Sequence, residues 1–166
     1  MQKHLLQSCV WGSAMVNIKD LRIESSDFRS LEMIPERYAA DKGNIAPSLL
    51  ISGVPSDAVE LAVICHDPDA PLPDGFTHWI VYGISPTTAH VDSNTKGIRI
   101  GPNGLNSCEY FGPQPPTGHG AHHYYFWIYA LNTKVTGTPT RQEFLTLYGN
   151  NILEQNRVVA LYENAA

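Results

Sequence analysis

At 166 residues the chain is sized for one domain around one core, and its formal net charge of -5 and pI near 5.7 leave no general basic character for nucleic acid. With 43% hydrophobic and 16% charged residues it is a folding composition, not a disordered one. No apolar run approaches bilayer length, and Met1 to Val10 has neither an apolar core nor a small-residue cleavage site, so neither a membrane span nor a secretory leader is expected.

Residues 1 to 15 read as an arm or capping turn. Val16-Asn17-Ile18 and Leu21-Arg22-Ile23 alternate weakly and predict strand. Residues 24 to 48 carry turn chemistry with little apolar periodicity and read as a long connection. Val59 to Cys65 is short, continuous and β-branched, the pattern of a buried strand. Phe76 to Ile84 predicts a second strand, and Ala121 to Leu131 the third and strongest. Thr140-Arg141-Gln142-Glu143 is a capping-box pattern, followed by Phe144, Leu145, Leu147 and Tyr148 at helical spacing. Gly149 ends or interrupts that helix. Ile152-Leu153-Glu154-Gln155 reads as helical again, so helix is expected near residues 140 to 156. Val158 to Tyr162 reads as a last strand. The class is mainly β with one or two late helices.

The polar groups gather at strand ends. Strand alternation puts Leu61, Val63, Cys65 and Asp67 on one face, with Asp67 last. It puts His78, Ile80, Tyr82 and Ile84 on another, with His78 first. On the third strand His122, Tyr124, Phe126, Ile128 and Ala130 share a face. An antiparallel link between the first two strands sets Asp67 and His78 at one rim, and His122 joins them if its strand enters from that side. Stiff Pro/Gly turns, Asp67-Pro68-Asp69-Ala70-Pro71 and Gly112 to Gly120, surround the trio. A carboxylate beside imidazoles favours their charged form, so a protonated His78 or His122, with turn amides, would suit an anion.

These residues resemble the phosphatidylethanolamine-binding protein family, which includes the Raf kinase inhibitor proteins. The resemblance rests on Asp67-Pro68-Asp69-Ala70-Pro71, on His78 before an apolar strand, and on Tyr110-x-Gly112-Pro113-x-Pro115-Pro116 with Gly118-x-Gly120-x-His122-x-Tyr124. It covers nearly the whole chain, and Tyr129-Ala130-Leu131 looks like the compact bacterial and archaeal branch. The resemblance implies an antiparallel two-sheet fold with C-terminal helices over residues 1 to 166. It also implies a pocket for a phosphate-like anion or phospholipid headgroup. The ligand-binding residues implied are Asp67, Asp69, His78, Gly112, His122 and Tyr124; Pro113 and Gln114 are expected to join Gly112 in the wall of the same ligand-binding pocket, and a homodimer is implied as well. His66, His123, Gln114 and Asn150-Asn151 depart from the family pattern.

A non-catalytic binder is the first functional reading. A regulatory inhibitor of a protein kinase or protease is the second, and a small-molecule hydrolase using the same pocket is the third. No Gly-x-Ser-x-Gly elbow and no phosphate-binding Gly-x-x-x-x-Gly-Lys is present, so no catalytic residue and no cofactor is assigned. His119, His122 and His123 would suggest zinc, but His122 and His123 point to opposite faces of a strand, so no metal site is expected. Cys9, Cys65 and Cys108 are odd in number and far apart, which fits a reducing, cytoplasmic setting. Cys65, Trp79 and Trp127 read as packing residues, and Cys108 as a neighbour of the pocket.

Overall fold

A computed structural model describes residues 17–165. The arm expected at residues 1 to 15 lies outside the described residues. The chain runs β1 (Arg22–Ser25), β2 (Glu32–Met33), β3 (Leu49–Ser52), β4 (Glu60–Asp67), β5 (Phe76–Ile84), β6 (His90–Val91), β7 (Arg99–Ile100), β8 (His122–Leu131), α1 (Arg141–Tyr148) and β9 (Ile152–Tyr162). A 3-10 turn at Glu36–Tyr38 and another at Gly149–Asn151 complete the elements. The fold is mainly β, as expected.

Two sheets form: six strands in the order β2-β9-β8-β4-β5-β7, and three in the order β1-β3-β6. Every pairing is antiparallel except the short parallel β2–β9 contact. Strand β4 is buried at all eight positions, because both faces of the large sheet are covered. On one face Leu61, Val63, Cys65, Phe126 and Ile128 join Ile23, Leu49, Ile51 and Val91 of the small sheet in one core. On the other, Ala62, Ile64, Ile80 and Tyr82 join Phe144 of α1 in a second core. Cys65 and Trp79 are core residues, while Trp127 is only half-buried, stacked between Tyr125 and Tyr129.

Three expectations need correction. Asn17 and Ile18, read as strand, form a turn and irregular backbone, and the first strand begins at Arg22. Residues 152 to 155 are not helical but open the long strand β9, which pairs with β8 from Ile152 onward. The buried Glu154 carboxylate accepts the backbone N–H groups of Asp20 and Leu21 (3.1 and 3.0 Å), so long-range pairing overrides the helical propensity of Leu-Glu-Gln. Nor do His78, Ile80, Tyr82 and Ile84 share a face. Cys65 pairs with Trp79 while His66 pairs with Thr77, which leaves His78 as an extra residue in β5. A second irregularity falls near Gly83, at φ +76, between the Leu61–Ile84 and Val63–Val81 pairs. Ile80 and Tyr82 therefore face α1, whereas Trp79, Val81 and Ile84 face the small sheet.

The capping box forms as read. Thr140 Oγ1 accepts from the Glu143 N–H at 3.2 Å, and Glu143 Oε2 accepts from the Thr140 N–H at 2.8 Å. Gly149 follows in right-handed geometry and carries the chain into the 3-10 turn. Thr140→Ala should lower stability by about 1 kcal/mol, since it orphans a first-turn donor. Urea denaturation would check this, and an unchanged midpoint would show that the cap contributes nothing.

Candidate functional site

The end of β4, the start of β5 and the start of β8 meet at one rim of the large sheet. Asp67 and His122 are almost wholly buried there, and Asp67 Oδ2 accepts from His122 Nδ1 at 2.8 Å. The other carboxylate oxygen, Oδ1, accepts the Asp69 N–H at 2.7 Å, which closes the Asp67-Pro68-Asp69 turn. His119 Nδ1 stands 3.3 Å from His122 Nε2, extending the polar line toward solvent.

His78 is arranged differently. Its Nδ1 lies 2.6 Å from the Phe111 carbonyl oxygen. A carbonyl only accepts, so Nδ1 carries the proton and Nε2 of the neutral ring is an acceptor. Burial holds its pKa down to about 4, against the smaller raising effects of the Phe111 hydrogen bond and the Asp67 charge. The sequence expectation of a protonated His78 is corrected accordingly: desolvation outweighs the carboxylate. The ring sits edge-on to Phe76 and to Tyr124, with centroids 4.7 and 5.1 Å apart.

Tyr124 supplies the donor. Its side chain is fully buried, and its hydroxyl has no hydrogen-bond partner among the described residues. Burial first, and the Asp67 charge next, push its pKa upward, so the phenol keeps its proton. An unpaired buried hydroxyl is uncommon in folded chains and calls for an explanation.

Asp67, His78, Gln114, His122 and Tyr124 line one cavity of about 270 Å³. Its apolar wall comes from Pro71, Leu72, Phe76, Phe111 and the Pro115-Pro116 pair. Sequence reasoning missed Phe76 and Phe111, although Phe111 precedes Gly112 and Phe76 stands two residues before His78. Asp69, Gly112 and Pro113 do not line the cavity. Asp69 instead accepts from the His123 N–H and Nδ1 at 2.8 and 2.7 Å, on the exposed side of the rim. Gly112 serves the wall from behind: its N–H donates to Asn44 Oδ1 at 2.7 Å, and a Cβ there would lie 2.0 Å from the Tyr38 carbonyl oxygen. The Pro113 carbonyl accepts from the Ala40 N–H at 3.0 Å. Cys108 is exposed and outside the lining.

A family model described as phosphatidylethanolamine-binding protein matches residues 24–163. The chain belongs to the phosphatidylethanolamine-binding protein family. It is 36% identical to the UPF0098 protein of Pyrococcus abyssi, over 92% of this chain and 87% of that protein. It is also 36% identical to the UPF0098 protein of Archaeoglobus fulgidus over 89% of this chain, but spans only about half of that relative, 52% of its length. The crystal structure of Escherichia coli YbcL, a member of the mammalian phosphatidylethanolamine-binding protein family, superimposes with a TM-score of 0.81 at 26% identity, covering 88% of this chain and 99% of that one. The chain is thus a compact family member of the bacterial and archaeal kind. Family and fold support a binding or regulatory role. No helix among the described residues is long and apolar enough to cross a membrane.

Proposed function

We propose that the rim cavity binds a small phosphate-bearing ligand or phospholipid headgroup without turning it over. The observation that carries this reading is the Tyr124 hydroxyl, buried at the cavity and lacking a partner among the described residues. It would donate to a phosphoryl oxygen. His78 Nε2 and the remaining lone pairs of Asp67 are acceptors, so they would take a protonated group of the ligand, a P–OH or an ammonium. A fully ionised phosphate would meet the Asp67 carboxylate in a place where water screens poorly. The cavity therefore suits a protonated phosphate or a zwitterion such as phosphoethanolamine. Gln114 at the mouth can hydrogen-bond with either end.

Residues 1 to 166 would act as one domain in the cytoplasm, as a homodimer. Inhibition of a protein kinase or protease has no observation of its own in this chain, and neither has hydrolysis.

Calorimetric titration with phosphoethanolamine tests the reading. Tyr124→Phe should weaken binding at least tenfold, about 1.5 kcal/mol, because a hydrogen bond to a charged oxygen is lost. His123→Ala should change little, since that ring is held by Asp69 outside the cavity. Equal affinity in wild type and Tyr124→Phe would remove the proposal.

A further inference from the structure

The β4–β5 hairpin presents alternate residues to two cavities. Asp67 and His78 face the rim cavity, while His66 and Thr77 face a second cleft on the opposite side of the large sheet. That cleft, about 560 Å³, opens between the sheet and α1, with Asn103 on one wall and Gln142 and Leu145 of the helix on another. It is of a size that holds small organic ligands.

Its permanent charge is Arg141. Among the described residues no carboxylate oxygen comes within 4.0 Å of the Arg141 guanidinium, and its Nε, buried from solvent, has no hydrogen-bond partner. An arginine in a cleft with an unused buried N–H is a half-made interaction, because guanidinium donors normally find oxygen. The other polar groups do not compete for that role. His66 is 7% exposed and its Nδ1 meets Thr77 Oγ1 at 3.2 Å. Burial and then the Arg141 charge hold its pKa down to about 4, so it is a neutral wall residue. Thr140 is committed to the capping box. Asp74 stands exposed at the mouth. One cation inside and one carboxylate at the entrance admit a single negative charge more readily than two.

We infer that this cleft is a second ligand site, distinct from the rim cavity, which takes a small monocarboxylate on the Arg141 guanidinium. The two terminal nitrogens of the guanidinium, side by side, match the two oxygens of a carboxylate, and Leu145 offers apolar surface to the rest of the molecule.

The test is an NMR titration of the full chain with acetate and, separately, with inorganic phosphate. Acetate should produce saturable shifts at the amides of Thr77, Arg141 and Gln142 and at the Arg141 Nε–H. Phosphate, a partial dianion near neutral pH, should bind there more weakly. Arg141→Gln should weaken the acetate response about tenfold or more, by loss of a charge-assisted pair, while Arg141→Lys, which keeps the charge but not the fork, should fall between. Gln and Lys are both good helix formers, so both variants should fold, and the spread of their amide spectra would verify it. Absence of saturable acetate shifts at these residues, or shifts unchanged in Arg141→Gln, would overturn the site. Tighter binding of phosphate than acetate would overturn its assignment to a monocarboxylate. The rim cavity is probed by other ligands and other residues, so its failure and the failure of this site are separable.

Discussion

Folding stability should drop by several kcal/mol as the pH is lowered from about 6.5 toward 4, and two buried histidines should account for most of it. His66 and His78 are 7% and 4% exposed, and each has its pKa held at about 4 against an ordinary 6.5, with burial the main cause. Above the ordinary value both rings are neutral in the folded and unfolded chains, and pH has no purchase on them. Between the two values the unfolded chain takes up protons that the folded chain refuses. Stability therefore falls as pH falls, and the loss is complete once pH reaches the folded value. Each ring contributes on the order of 3 kcal/mol, at about 1.36 kcal/mol per pKa unit. Against a total of roughly 5–15 kcal/mol for a domain, that brings the fold close to acid unfolding. Urea denaturation at neutral pH and at steps down to mildly acidic pH would measure it. His66→Gln and His78→Gln should each flatten the profile, and together they should remove most of its slope over this window. A slope that survives both substitutions would assign the acid sensitivity to other groups.

Asp67→Ala should cost about 3 kcal/mol, the cost of emptying one side of a buried polar pair. The carboxylate satisfies two donors at once, His122 Nδ1 and the Asp69 N–H, and neither the carboxylate nor the His122 ring is reached by much solvent. Alanine strands both. Asp67→Asn is the informative companion. Its carbonyl can still take the Asp69 N–H, but its amide now donates toward His122. The ring can answer only by moving its proton to Nε2, the nitrogen next to His119. Asparagine should therefore cost less than alanine while reversing the His122 tautomer, which long-range nitrogen NMR reads directly. Losses well under about 1 kcal/mol in both variants would mean that the fold tolerates the missing acceptors and that the pair is not a stabilising unit.

The rim was legible in the sequence because its logic is local. Asp67 ends one apolar strand and His78 opens the next, and the short link between them forces an antiparallel hairpin. The start of β8 then falls on the same rim because β8 pairs antiparallel with β4. The capping box at Thr140 was legible for the same reason. The small sheet was not. Of its strands, only β1 was anticipated; Leu49–Ser52 and His90–Val91 are short, and their pairings connect distant parts of the chain. The first half of β9 misled because Glu154 is buried for backbone donors more than a hundred residues away, a demand that no local window contains. The neutrality of His78 was also hidden. Sequence places Asp67 beside it but gives no measure of the burial that wins.

The extra residue in β5 has a consequence for how this family member could change over time. At His78 the strand changes step, so the residues before it and the residues after it serve different sides of the sheet than simple alternation would assign. Point substitutions leave that phase intact. Deletion of Thr77 would not: it would restore even alternation and move His78 into the position opposite His66, on the α1 side and away from the rim cavity. The hairpin thus works as a selector whose setting is stored in chain length, and its two cavities are tied to a count of residues as much as to their identity.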